Sequence, residues 1–554
     1  MRHFRMSGLV ILAALLAVGL NLTLAGPTFA VQVVKNVIVM IPDGVSFEQY
    51  TLARWFKGQS LAMDEILAGA VRTYISDSVV ADSAPTASAY ATGWRTADKH
   101  ISVGPNTKYL LPQPWMPPLP ADMPYKPLAT VLEGARLKGK ATGIVATSRV
   151  SHATPAAYMA HVPHRNQEED IMEQAVYQGV DVVFGGGRGL LLPKEAKGRR
   201  ADNENLLEVL KAKGYQVAET KDDLLNLKAG QAFGLFASSH MSTEIDRPAV
   251  APKEPSLAEM AAKAIELLSS KPQGFFLMIE GSQVDWADHY NDPAYLLGEL
   301  LMFEQAVQAA LDFAKKDGNT LLLVMPDHNT GGMSLGNYAT SGIYPQLKLE
   351  KLLEPLKKMK MSAPAMWFKM GGEKTPDKLK AVVREGWGLE ITDDEAKQIL
   401  DLTAKYKDDP YAAFGEVLCP KYTYLGWTTH GHCGGDVPLA SYGPGRPVGL
   451  FDGPEIGRIT AEALGVDLDQ TTARLFVEAG PALAEGKVTV DKTIAANPVV
   501  KVEYQGRTAD LPVNKNLLIM GGRTTELEGV VVYAPDTGKV YLPRQAVDLI
   551  KAAK

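Results

Sequence analysis

Cysteine is almost missing from this 554-residue chain, with Cys419 and Cys433 the only two. A disulfide-stapled scaffold and a Cys-rich zinc knuckle are therefore excluded. An excess of one charge is also lacking. Lys+Arg 57 against Asp+Glu 63 gives a net charge of −6, which supplies no general footprint for nucleic acid and leaves any phosphate chemistry to a local site. Beyond residue 30 no apolar run is long enough to span a bilayer. No repeat of solenoid or propeller period occurs. What remains, at 46% hydrophobic and 22% charged residues, is the composition of a globular protein two or three times the size of a typical domain.

The first thirty residues have the order of a secretory signal. Arg2 and Arg5 precede an apolar run from Leu9 to Ala25, followed by Gly26, Pro27, Thr28, Phe29 and Ala30. Cleavage is expected after Ala30. The run is short for a membrane anchor and its end breaks helices, and no Cys is nearby for lipid attachment. Losing the two arginines takes the net charge from −6 to −8. The mature protein is expected in the periplasm or outside the cell, without a transmembrane segment.

Downstream, short apolar runs end in polar or Gly-rich residues: Val37 to Ile41, Gly143 to Ala146, Val180 to Phe184, Gly274 to Ile279 and Thr320 to Met325. Between them, Leu257 to Ser269 and Ala294 to Lys316 carry apolar residues at helical spacing. This alternation predicts an α/β fold, a mostly parallel central sheet covered by helices on both faces. Ligands of such sheets bind at the carboxyl ends of the strands. Residues 31–486 are read as one catalytic domain. Within it, Asn106 to Pro127 is a Pro-rich loop, and 341–420, with helical patterns such as Asp393 to Ala404, is an insertion. From Lys487 short alternating strands and the turn Pro535-Asp536-Thr537-Gly538 predict a small β-rich module over 487–554.

Acidic residues and histidines fall just after the predicted strands. Asp43 follows the first. Glu280 follows Gly274 to Ile279, with Asp285 and His289 four residues apart and so on one helical face. Asp327 and His328 follow Thr320 to Met325, and His430 and His432 lie in a Gly-rich loop. Carboxylate and imidazole together suit zinc or a similar divalent ion. Each residue alone reads equally as a turn, a cap or a surface group, but four of the ten histidines share this placement. Ser83, in Asp82-Ser83-Ala84-Pro85, stands at the start of a small-residue helix, where a hydroxyl feels the positive helix end and backbone N–H groups can meet a phosphate. Gly185 to Gly189 lacks the Gly-Lys-Ser/Thr of a nucleotide loop and reads as a tight turn.

With these motifs in place, the chain resembles the alkaline phosphatase family over about Val37 to Gly445. The resemblance implies that Ser83 is the phosphorylated nucleophile and that the cofactors are two Zn2+ and one Mg2+. By the same match Asp285, His289 and His432 hold the first zinc, Asp327 and His328 complete the second, and Asp43 bridges the second zinc and magnesium. Glu280 and Thr154 match the magnesium ligands, and Arg165 matches the arginine that clamps the substrate phosphate. His152 and Trp286 differ from the Asp and Lys of the best-known enterobacterial members, and are expected to tune magnesium affinity and product release from behind the ligands. His430 is the less well aligned alternative to His432. Cys433 stands as a half-buried thiol or as the partner of Cys419. His161 and His164, flanking Arg165, read as solvated loop histidines. The family also implies a homodimer.

The implied reaction is hydrolysis of small phosphate monoesters, and three alternatives fit the residues less well. A sulfatase needs Arg where Ala87 stands. Superfamily diesterases use two metals and lack the third-site carboxylate that Glu280 matches. An exported metal-binding protein without catalysis is disfavoured by the complete set from Asp43 to His432. Phosphate scavenging is the role that location suggests.

Overall fold

The computed structural model describes residues 32–552; the signal segment expected over residues 1–30 lies outside the described residues. Ten strands form one sheet. In chain order they are β1 (Asn36–Pro42), β2 (Leu67–Arg72), β3 (Ala141–Arg149), β4 (Val182–Gly186), β5 (Gln216–Ala218), β6 (Ala232–Ala237), β7 (Phe275–Gly281), β8 (Thr320–Val324), β9 (Asp436–Tyr442) and β10 (Gly449–Asp452). Their spatial order is β10-β2-β9-β8-β1-β7-β3-β4-β6-β5. Every pairing is parallel except those of β9, which runs against both β2 and β8. The expected mostly parallel sheet is present.

Both faces of the sheet are dry along its central strands β8, β1, β7, β3 and β4, which is why these read as continuous apolar runs. In β1, Ile38 and Met40 belong to one core, and Val37, Val39 and Ile41 to the other. β7 divides likewise, with Phe275, Leu277 and Ile279 on one face and Phe276 and Met278 on the opposite one. The first face is covered by the helices Leu257–Ser269 and Pro293–Asp317, the second by Ser83–Thr92, Val131–Leu137 and Gly453–Leu464. Alternation of side chains along each strand thus builds two cores from one ribbon.

The segment 341–420 carries five helices, Leu349–Lys358, Ala363–Lys369, Pro376–Trp387, Asp393–Lys405 and Ala412–Tyr422, the last running two residues past it. It leaves and rejoins the sheet through a ribbon in which Ser334–Leu335 pairs with Leu425–Gly426. Asn337 reinforces that base by donating to the carbonyls of Thr423 and Leu425 at 3.1 Å. The terminal region forms a five-stranded antiparallel sheet (Lys487–Asp491, Val499–Tyr504, Arg507–Pro512, Leu517–Met520, Arg523–Glu526). A three-stranded sheet joins Val477–Glu478 to Lys539–Leu542 and Val532–Ala534. The turn at Pro535 to Gly538 connects the last two strands, as its residues predict.

A buried polar network ties this terminal region to the helix Glu168–Tyr177. Asn514 donates to Asp170 and accepts from Gln174, both at 3.0 Å, and Lys515 pairs with Glu173 at 3.1 Å and with Glu204. Gln174 in turn accepts from the backbone N–H of His161 at 2.8 Å. His161 is therefore not the solvated loop histidine expected from sequence. It is buried, with Nε2 3.1 Å from Glu133 and Nδ1 3.0 Å from the Ser102 carbonyl. Glu133 also accepts from Gln178 at 2.7 Å and from the backbone of Thr130 at 2.9 Å.

These partners decide the titration of Glu133. Burial raises its pKa, but His161 and the donated hydrogen bonds outweigh burial and leave it below its ordinary value of 4.5. A depressed carboxylate contributes stability that is complete above the unfolded value and is lost as pH falls through the folded one. Chemical denaturation across the acid range is expected to show a steep loss of stability below about pH 4.5 in the wild type and a shallower one in Glu133→Gln. Identical acid limbs would contradict this assignment.

Candidate active site

The ends of four adjacent strands define the site. β1 lies between β8 and β7, and β7 lies beside β3. In register, Ile41 of β1 faces Glu280 of β7, and Ala146 of β3 faces the same Glu280. The residues that follow these strands, Asp43 after β1 and Asp327-His328 after β8, are thereby delivered to one edge. Gly44 makes the turn after Asp43 with φ +78, and a Cβ there would lie 2.8 Å from the Asp285 backbone. Only glycine fits that combination of conformation and closeness.

Asp285 and His289 lie on the helix Gln283–His289, and Nε2 of His289 is 3.3 Å from Asp285. His432 arrives by a different route. Because β9 is antiparallel, its beginning lies at the carboxyl ends of its neighbours, so the loop just before it reaches the same edge. The pair His432–Cys433 is held there by Asn329–Thr330. His432 Nε2 is 3.2 Å from His289 Nε2 and 3.7 Å from Asp285. Two compact donor sets, Asp285-His289-His432 and Asp43-Asp327-His328, are joined by a third, Asp82-His328-His432, that shares a histidine with each, and in every set the donor atoms lie within 4.8 Å of one another. His430 is turned away from all three, with Nδ1 2.7 Å from the His289 carbonyl and Nε2 3.2 Å from Glu416.

The orientation of the three imidazoles is consistent. Nδ1 of His432 meets the Ala81 carbonyl at 2.8 Å, Nδ1 of His328 meets Thr330 Oγ1 at 3.2 Å, and Nδ1 of His289 meets the His430 carbonyl. Each Nε2 is left facing the carboxylates. Outer oxygens that fix the ring and tautomer of a histidine are the usual support of a metal-binding imidazole.

Charge strengthens the fit. Asp43, Glu280, Asp285 and Asp327 are all buried, and unpaired ionised carboxylates cost several kcal/mol each in such surroundings. Burial, then Asp327, Asp285 and Glu280, hold the Asp43 carboxyl well above the usual range. Burial pushes Glu280 up to about 7. Burial also raises Asp285, but His289, His432 and His328 overcome it and bring it well below. Asp43 Oδ1, Glu280 Oε1, Asp327 Oδ2 and Thr154 Oγ1 are buried without a hydrogen-bond partner. Acceptor oxygens crowded together and unsatisfied call for cations.

Ser83 is the first residue of the helix Ser83–Thr92, with Asp82 as its N-cap. Its Oγ lies 3.2 Å from His328 Nε2 and 3.4 Å from Asp43 Oδ2. Arg165 donates to Asp82 at 2.7 Å and to His152 Nε2 at 3.1 Å. The Trp286 ring meets His152 edge to face at 5.7 Å. Ser83, Arg165, His152 and Trp286 line one cleft of about 440 Å³. All twelve site residues expected from sequence thus converge on the edge formed by β8, β1, β7 and β3.

Other contributors carried no sequence signal strong enough to single them out. His240 stacks edge to face on Trp286 at 4.3 Å and contacts Arg149 through both ring nitrogens. It follows β6 in the same strand-then-polar pattern that marks Asp43 and Glu280. Asp409 and Tyr411 reach the cleft from the 341–420 segment, where no periodicity points to them. Cys419 and Cys433 are both free thiols, so no bridge joins them. Cys419 is buried and donates to the Asn291 carbonyl at 3.3 Å.

Comparison with known proteins agrees with this geometry. The family model for alkaline phosphatase matches residues 34–466. Alkaline phosphatase 3 of Bacillus subtilis is 35% identical over 451 residues, covering 78% of this chain and 89% of its own. The repressible alkaline phosphatase of Saccharomyces cerevisiae is 31% identical over 493 residues, 79% of this chain and 82% of its own. The crystal structure of Thermus thermophilus alkaline phosphatase superposes with a TM-score of 0.70 at 28% identity, covering 79% of this chain and 93% of that one. A mutant of the alkaline phosphatase from the Antarctic bacterium TAB5, with magnesium in its M3 site, gives 0.54 at 25% identity, covering 79% and 99%. The strand-end cluster and these likenesses converge: the chain belongs to the alkaline phosphatase family and is a phosphomonoester hydrolase.

Proposed function

We propose that this protein is exported and hydrolyses small phosphate monoesters through a phosphoserine formed on Ser83. The observation that carries the reading is the position of Ser83 Oγ, at a helix N-terminus, within 3.4 Å of Asp43 and His328 and in one cleft with Arg165. The leader with its charged, apolar and small-residue order supports export. Release of inorganic phosphate outside the cytoplasm makes scavenging the proposed role.

Asp285, His289 and His432 would hold one zinc, and Asp327, His328 and Asp43 a second. Glu280, Thr154 and Asp43 would hold magnesium, whose preference for oxygen donors matches this all-oxygen set. When bound, these ions supply the Lewis acidity that ionises hydroxyl groups near neutral pH and stabilises a departing alkoxide. The chain's own residues do the rest. Ser83 Oγ bonds to phosphorus as the bond from phosphorus to the ester oxygen breaks, and the alcohol leaves. Water then breaks the Ser83–phosphate bond, restoring the hydroxyl and releasing inorganic phosphate. The free N–H groups of the first turn of Ser83–Thr92 face the anion.

Arg165 has the donor geometry to hold two non-bridging oxygens in a fork. Asp82 keeps it aligned, and His152 accepts from its other nitrogen. Burial, and after it the charge of Arg165, pushes His152 well below its ordinary pKa, so the ring stays neutral and adds no competing charge. Trp286 and His240 wall in that side of the cleft and restrict where His152 can turn.

Hydrolysis of an aryl monoester and the matching diester by the metal-loaded protein tests the reading, with the monoester expected to be strongly preferred. Acid quenching during turnover should trap one phosphoryl group on the peptide containing Ser83. Ser83→Ala is expected to abolish the trapped species and lower kcat/KM by about 10³-fold or more. Diester preference, or a phosphoryl group on another residue, would overturn the proposal. Arg165→Ala is expected to weaken inhibition by inorganic phosphate roughly 10- to 100-fold, with Arg165→Lys recovering only part of it. Equal phosphate affinity in wild type and Arg165→Ala would remove Arg165 from the phosphate seat.

A further inference from the structure

The cleft in front of Ser83 has two walls of different chemistry. The inner one holds Ser83, Arg165 and the donor carboxylates. The outer one is aromatic. Trp286 and Tyr290 come from the helix Gln283–His289 and its C-cap, and Tyr411 comes from the start of the insertion helix Ala412–Tyr422. The rings of Tyr290 and Tyr411 meet edge to face at 4.5 Å and 70°. Phe368, 73% exposed, continues the aromatic surface 6.4 Å beyond Tyr411.

One carboxylate stands among these rings. Asp409 lines the cleft and accepts from the Tyr290 hydroxyl at 3.2 Å. The nearby acids Glu395 and Glu416 are paired with Lys421 and His430, whereas Asp409 has no such partner among the described residues. No Lys or Arg but Arg165 lines the cleft, and Arg165 is engaged by Asp82 and His152. The outer wall is also firmly seated. A Cβ on Gly415 would lie 2.2 Å from the Tyr290 carbonyl oxygen, so the insertion helix presses directly on the turn that carries Tyr290.

Aromatic faces beside a free carboxylate are complementary to an organic cation, through ring quadrupoles and direct charge attraction. The inner wall is complementary to the opposite sign, a phosphate dianion. Resting on the monoesterase reading, we propose that Asp409, Tyr411 and Tyr290 form a leaving-group subsite for phosphate monoesters of cationic alcohols, those carrying a quaternary ammonium, amine or guanidinium group. The phosphoryl end seats at Ser83 and Arg165, and the positive end of the alcohol lies against the aromatic wall. The insertion thereby sets substrate preference in a site whose phosphate contacts alone do not discriminate.

The test compares kcat/KM of the metal-loaded full chain for choline phosphate and for its uncharged isostere 3,3-dimethylbutyl phosphate. The ratio of the two, taken in each variant relative to wild type, cancels the intrinsic reactivity of the two leaving groups. Asp409→Asn and Tyr411→Leu are expected to lower the ratio roughly 5- to 30-fold, and Tyr411→Phe to preserve most of it. Added salt is expected to lower the ratio more in wild type than in Asp409→Asn. An unchanged ratio in both Asp409→Asn and Tyr411→Leu, or an equal loss on both esters, overturns the subsite while leaving the monoesterase reading intact. Failure of the metal-loaded wild type to hydrolyse either ester overturns that reading and the subsite with it.

Discussion

Four carboxylates, Asp43, Glu280, Asp285 and Asp327, are buried at one end of the central sheet, with a single guanidinium nearby. Left alone, such a cluster would be relieved by protonation or by movement of the chain. Asp43 and Glu280, both raised by burial, lean toward the first escape, while the second is closed to this fold. β1, β7 and β8 are locked in parallel register with both faces covered, and Gly44 has no room to shift against Asp285. The cost of holding the carboxylates together is offset when cations occupy the space between them, and the fold is in that sense built around its ions. Ser83 lies against the same cluster, so the feature that strains the site electrostatically is the one that would activate Ser83 as the proposed nucleophile.

The surroundings of the cluster follow from where the chain departs from regular βα alternation. β9 alone runs backwards, and that reversal brings His432 to the carboxyl edge, where no parallel strand could have delivered the residues preceding it. The insertion is rooted between the segments that carry Asp327-His328 and His432. It leaves after Asp327-His328 through Ser334–Leu335 and returns before His432 through Leu425–Gly426. Glu416 on its last helix contacts His430, whose ring contacts the His289 backbone. Packing of the insertion is thus coupled to the placement of His289, and the outer wall of the cleft is carried on the same body.

Much of this was legible in the sequence because the strands are short, apolar and buried on both faces. Each announces its own end with a polar residue, and those ends are where Asp43, Glu280, Asp327 and His328 stand. Asp285 and His289 were legible through helical spacing, and Ser83 through its small-residue helix. Arg165, Thr154 and His152 were accessible only by family resemblance, since nothing in their local pattern distinguishes them from loop residues. His161 misled because its flanks are polar, whereas tertiary packing against Glu133 and Gln174 buries it. Asp409, Tyr411 and His240 depend on how distant segments fold over the cleft, information that no local window contains. The free state of Cys419 has the same origin, for its thiol is turned into the core toward Asn291.

The central claim, that two His-carboxylate sets and one all-oxygen set hold the ions that make Ser83 a nucleophile, is tested most directly by anomalous diffraction at the zinc edge from crystals of the zinc- and magnesium-loaded protein. The account predicts two zinc peaks, one among Asp285, His289 and His432 and one among Asp43, Asp327 and His328. A lighter ion, without a zinc signal, is predicted beside Glu280 and Thr154. Zinc held by His430 in place of His432, or a structure active in solution with no ion at the strand ends, would contradict it.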